Sequence, residues 1–185
     1  GLNVVKTASD GSFSLPGHPR ERFIFITTPS GYKTDNKHYI RIDGEQKGYE
    51  FGLQPYNGGI KKDGSHKYVH IADTEIFNTE NHGDWVNNVR DYAANEQVAF
   101  IMHTGDICYE KGLKAHIQMM NTANMDCPMF YAIGNHDLVK GKYGEELFES
   151  IYGPVYYSFD AGSTHYIVTP MAGGDYQPGY TKEDV

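Results

Sequence analysis

From Lys67 onward the chain repeats one unit: a short apolar run, a polar cluster directly behind it, and then a stretch with helical spacing. Tyr68 to Ala72 is the first apolar run, Val98 to His103 the second and Met129 to Ile133 the third. Behind the first, Trp85, Val86, Val89, Tyr92 and Ala93 recur at the 3.6-residue period after Asp84, which reads as an N-cap. Leu113, Ile117 and Met120 mark a second helix, and Leu147, Phe148 and Ile151 a third, ended by Gly153-Pro154. Strands separated by helices must run parallel, so the pattern predicts an α/β fold: a mostly parallel β sheet with helices on both faces. Val155 to Phe159 and Thr164 to Val168, around Asp160-Ala161-Gly162-Ser163, predict a closing hairpin.

Residues before this repeat behave differently. Residues 1 to about 65 show no helical period, only short apolar runs between turn residues: Asn3 to Thr7, Ser12 to Leu15, Arg22 to Thr27, His38 to Ile42 and Tyr49 to Leu53. Asp10-Gly11 between the first two is a hairpin signal, because Gly accepts the positive φ of a tight turn. A small all-β, sandwich-like module over residues 1–60 is expected, followed by a Gly-containing linker over 54–66 and the α/β part over 67–185.

Sixteen basic side chains stand against twenty-four acidic ones, a net charge of -8. That balance argues against non-specific attachment to nucleic acid or an anionic membrane, and a polyanionic partner would need a local cation. Apolar runs such as Val98 to Met102 are far shorter than the ~20 residues of a membrane span. Cys108 follows the second strand and Cys127 precedes the third, so they fall on opposite edges of a parallel sheet and are expected as free thiols.

Three clusters carry the chemistry: Asp73-Thr74-Glu75, Gly105-Asp106-Ile107-Cys108-Tyr109 and Gly134-Asn135-His136-Asp137. Asp73 and Asp106 are thirty-three residues apart, Asp106 and Asn135 twenty-nine, the length of one crossover between parallel strands. All three clusters therefore fall on the carboxyl edge of the sheet, where open α/β sheets bind ligands. Turn and cap chemistry alone would account for Asp and Asn after strands, but it does not select His after Asn. Carboxylates gathered from separate strands repel unless a cation compensates them, and Asp, Asn, His and Tyr are all suitable donors. A dinuclear metal site is the economical reading, since two ions about 3.5–4 Å apart share a bridging carboxylate and clamp a phosphoryl group. His70 and His103, inside apolar runs, read as hydrogen-bonded core residues rather than ligands. The Tyr- and Gly-rich residues 156–180 read as a surface loop in preference to a groove.

Gly105-Asp106-x-x-Tyr109 and Gly134-Asn135-His136-Asp137 resemble the signature of the calcineurin-like metallophosphoesterases, including the purple acid phosphatases. The resemblance covers residues 67–185 and implies a partial metallophosphoesterase fold. Asp10 to Leu15 resembles part of the β-sandwich domain that precedes such catalytic domains in some bacterial proteins. Carried over by position, Asp73 resembles the first-metal ligand, Asp106 the bridging carboxylate and Asn135 the second-metal ligand. His136 resembles the histidine that assists the leaving oxygen, Asp137 its orienting partner, and Tyr109 the metal-bound tyrosinate of purple acid phosphatases. The implied cofactors are two divalent or mixed-valence ions of manganese, iron or zinc, and the implied location is periplasmic or secreted.

Two departures accompany the resemblance. The family's first motif is Asp-x-His, whereas this chain has Asp73-Thr74-Glu75, so Glu75 replaces an imidazole as ligand, holds a metal-bound water, or points away. The family's downstream Gly-His-x-His is also missing after His136; His165 lies in the hairpin without that pattern, and His18 is in the other module. Thr181 to Val185 reads like the first turn of a further helix, and a piece of a longer protein is expected. The expected function is hydrolysis of a phosphate mono- or diester through two-metal activation of water, with this piece alone nearly inactive. The alternative is a non-catalytic surface or glycan-binding module with a degenerate metal site, which Glu75 favours. A nucleic-acid substrate ranks third, against the net charge.

Overall fold

The structure is a computed structural model, and it describes residues 3–19, 21–35, 37–42, 44, 48–140 and 144–170. The expectations for residues 171–180 and for a helical turn at 181–185 lie outside them.

The alternating part folds around three parallel strands, β5 (Val69–Ile71), β6 (Ile101–His103) and β7 (Met129–Tyr131), ordered β5-β6-β7. Val69 pairs with Ile101 and Ile101 with Met129, so the strand ends are level and the polar clusters leave the sheet side by side. The crossovers are α1 (Gly83–Asn95) and α2 (Glu110–Met119), the second followed by a short α3 (Thr122–Met125); α4 (Glu146–Tyr152) comes after β7. Helix α1 starts two residues earlier than its pattern suggests. Its N-cap is His82, and Asp84 sits in the first turn, where a carboxylate still meets the positive end of the helix dipole.

Successive side chains on a strand point to opposite faces, and the two faces of this sheet have different covers. Ile101, Met129 and Tyr131 pack with Val86 and Ala93 of α1, Leu113 of α2, and Phe148 and Tyr152 of α4. Phe100 and Phe130 instead meet Tyr157, Phe159, Ala161 and Val168 of the hairpin β8 (Tyr157–Ala161) and β9 (Thr164–Val168). Phe130 and Phe159 stack with ring centroids 3.6 Å apart. Helices on both faces are therefore not what the described residues show: helices cover one face and the hairpin covers the other. The alternation of buried positions along β8 gives it an apolar stripe, and that stripe packs against Phe100 and Phe130.

Residues 1–60 contribute β1 (Phe23–Phe25), β2 (Tyr32–Thr34), β3 (Tyr39–Arg41) and β4 (Leu53–Pro55), paired antiparallel as β1-β3 and β2-β4. Ser9 to Gly11 makes the expected turn, with Gly11 at φ +83° and Ala8 N–H on Ser12 O at 2.8 Å, but the runs on either side form no strand. These strands lie against the α/β part. The Arg22 guanidinium forks onto Glu149, Tyr39 Oη donates to Ile151 O, and Thr28 bridges Phe159 in parallel so that Asp160 N–H reaches Thr28 O. Residues 54–66 are not a free spacer either. Tyr56 Oη donates to Val98 O at 2.9 Å, and Ser163 N–H reaches Gly64 O. No helix among the described residues is long and apolar enough to cross a membrane.

Candidate functional site

The three polar clusters leave neighbouring strands and are bonded to one another through their backbones. Asp73 N–H donates to Gly105 O at 3.1 Å, and Ile76 N–H to Ile107 O at 3.3 Å, which ties the first loop to the second. The second and third loops meet at two glycines. Gly105 holds φ at +99°, and a Cβ there would run into the Gly134 backbone, so only glycine fits. Asp73, Glu75 and Asp106 hold φ at 55°, 48° and 51°, left-handed conformations that non-glycine residues adopt at a cost of order 1–3 kcal/mol when the surroundings impose them.

Asp137 is the knot of the arrangement. It is fully buried, and its Oδ1 accepts from the N–H of Ile107 at 2.8 Å and of Cys108 at 3.2 Å, while Oδ2 accepts from Gly134 N–H at 2.8 Å. Burial pushes its carboxyl up to about 6, against those three donors. Asp106 Oδ1 accepts from His136 N–H at 3.1 Å, a second stitch between the same loops.

The His136 ring takes a partner the sequence did not indicate. Its Nδ1 lies 2.8 Å from Glu75 Oε1, and that hydrogen bond raises its pKa above the ordinary value. Expected as the orienting partner of His136, Asp137 is instead spent on backbone N–H groups, and Glu75 orients the imidazole. Cys108 Sγ reaches Glu75 Oε2 at 3.7 Å, and burial raises the thiol. Tyr109 is half exposed and stacks on His136 with centroids 5.1 Å apart and planes 18° from parallel. Asp73 and Asn135 both stand exposed on their turns, and Asn135 opens a 3-10 turn that runs to Asp137.

Thr74 and His103 are site residues that motif reading did not single out. Gly105 N–H donates to His103 Nδ1 at 3.2 Å, so the proton sits on Nε2, which donates to Thr74 Oγ1 at 3.0 Å. Thr74 in turn donates to Ile107 O at 3.5 Å. Burial, with His70 nearby, holds His103 down at about 4, so the ring is a neutral strut beneath the loops. As expected from its place in an apolar run, His103 is a hydrogen-bonded core residue. His70 is not: it is exposed on the edge strand β5, with Nε2 2.8 Å from Thr104 Oγ1. Cys108 and Cys127 are both buried free thiols.

The donor chemistry fits hard divalent cations, because Asp73, Asp106 and Asn135 offer oxygen from three adjoining loops. A closed cage is another matter. Among the described residues, no three His, Cys, Asp or Glu side chains form a group that could hold a metal ion.

Residues 66–179 match the family model of the calcineurin-like phosphoesterases. Neither the curated proteins nor the solved structures gave a match. The match spans more than half of the chain and contains all three loops, so the chain belongs to the calcineurin-like phosphoesterases, a family of metal-dependent phosphoric ester hydrolases.

Proposed function

We propose that the three loops hold two divalent or mixed-valence metal ions and that hydrolysis of a phosphoric mono- or diester takes place there. The observation that carries this reading is the mutual hydrogen bonding of the loops, which sets Asp73, Asp106 and Asn135 on adjoining turns beside His136. Those three residues would hold the metals, with Glu75 and Tyr109 as further donors, and manganese, iron or zinc suits such a set. When bound, the ions supply Lewis acidity toward the phosphoryl oxygens and activation of water.

The chain's own residues orient and move a proton. Glu75 occupies Nδ1 of His136, which leaves Nε2 as the ring atom that gives a proton to the departing alcohol oxygen. The Tyr109 ring, stacked on the imidazole, holds its plane, and Asp137 locks the loop that carries it. The family's downstream Gly-His-x-His does not follow His136 in these residues, so the chain alone is expected to be nearly inactive.

Titration calorimetry with Mn²⁺ tests the reading. A heat of binding in the wild-type protein, lost in Asp106→Asn, is expected. Absence of heat from the wild type overturns the metal site and favours a non-catalytic module.

A further inference from the structure

We infer that Cys108 is a positioning residue for the proposed hydrolysis: its thiol holds one oxygen of Glu75 so that the other stays on His136. This role rests on the reading of His136 as the residue that gives a proton to the departing alcohol. Cys108 Sγ donates to Glu75 Oε2 at 3.7 Å, and Glu75 Oε1 lies 2.8 Å from His136 Nδ1. The two contacts tie the second polar loop to the first, and the first to the third.

Glu75 needs the second hold. Its side chain is 34% exposed and that of His136 38%. An ion pair this open to water contributes about 0–1 kcal/mol, whereas ordering a side chain as long as Glu costs up to about 1.5–2 kcal/mol. One contact at Oε1 would therefore leave the carboxylate free to swing into solvent. The thiol fixes it from the protein side, because Cys108 is fully buried. Burial, and then the charges of Glu75 and Asp137, raise the thiol, so it keeps the proton that it donates.

Both ends of the contact are anchored by backbone. Cys108 N–H is held by Asp137 Oδ1 at 3.2 Å, and Ile76 N–H, next to Glu75, by the carbonyl of Ile107, next to Cys108, at 3.3 Å. Gly112, the third residue of α2, completes the seat of the sulfur. A Cβ at that position would fall on the Cys108 side chain and on Ile76 O. Glycine within a helix costs about 0.5–1 kcal/mol against alanine, and here it leaves the room that the Cys108 side chain occupies.

Nitrogen-15 NMR of the full chain, recorded without metal, tests this. At about pH 8.5, above the ordinary titration range of an imidazole, a carboxylate beside Nδ1 keeps the single ring proton there, since it can only accept. The wild-type Nδ1 signal of His136 is expected at the position of a protonated nitrogen, and Glu75→Ala supplies its position with no carboxylate beside it. Cys108→Ala is expected to move the signal at least about a third of the way toward that second position, because the hydrogen bond lost is comparable to the pair it supports. Gly112→Ala keeps the thiol but displaces it, and is expected to move the signal in the same direction. A thiol that only fills space would leave the proton where it is. An unmoved signal in Cys108→Ala therefore overturns the inference, and so does a wild-type ring that carries its proton on Nε2. The measurement needs no metal, so absence of heat in the Mn²⁺ titration would overturn the metal site while leaving the thiol's hold on Glu75 to be decided by the nitrogen signal.

Discussion

Glu75 Oε1 stands 2.8 Å from His136 Nδ1, a contact between residues sixty-one positions apart that joins the first polar loop to the third. The carboxylate that departs from the family's usual motif is thereby engaged with the imidazole. Glu75→Ala should lower metal-stimulated turnover by about 10–100-fold with little change in KM, the usual loss when an orienting partner is removed. Steady-state kinetics on a chromogenic phosphate ester in the presence of Mn²⁺ provides the check, and an unaltered kcat would contradict an orienting role.

Asp137 predicts a structural phenotype where its position in the motif would suggest a kinetic one. Its carboxylate receives the N–H groups of Ile107, Cys108 and Gly134, and replacing it with alanine strands all three in a buried place. Each such loss is worth about 1–3 kcal/mol, so Asp137→Ala should destabilise the fold by about 3 kcal/mol or more. Urea denaturation would show it as a lower midpoint with an unchanged slope.

Gly105 predicts a coupled loss of stability and metal binding. A methyl group there must push the Gly134 backbone away and also adopt a strained φ. Gly105→Ala should cost about 1–3 kcal/mol in thermal unfolding and weaken Mn²⁺ binding, since the loops it separates carry Asp106 and Asn135. Wild-type stability in this variant would show that the two loops do not depend on their close approach.

A pH dependence follows from the contact of β1 with α4. One guanidinium, Arg22, serves two buried carboxylates, reaching Glu149 at 2.7 Å and Glu145 at 3.5 Å. Burial, with Glu145 and Glu146 nearby and against Arg22 and Arg41, pushes Glu149 up to about 7 from its ordinary 4.5. A raised carboxyl pKa means that the folded state holds the proton more tightly than the unfolded one. This group's contribution is therefore fully present below about 4.5 and is lost as pH rises toward about 7. Melting temperatures should fall over that window in the wild type and fall less in Glu149→Gln; equal slopes in the two proteins would refute the assignment.

Strand and helix repeats, the β8–β9 hairpin and the turn at Gly11 were legible because each depends on spacing within a few residues. The three polar clusters were legible for the same reason, each being contiguous and placed directly behind an apolar run. His103 could be read as a core residue from the apolar run around it. His70 could not, because exposure on an edge strand depends on how far the neighbouring hairpin extends over the sheet.

By itself, the amino-acid order determined which segments form strands and helices and that three donor-rich loops share one edge of the sheet, since parallel strands joined by crossovers leave no other arrangement. Only the tertiary structure decided that a hairpin, not helices, covers the second face, that Asp137 clamps backbone N–H groups, and that Glu75 holds His136. Those outcomes are set by groups distant along the chain meeting in space, where burial and hydrogen-bond geometry choose the partner, and neither quantity is written in local spacing.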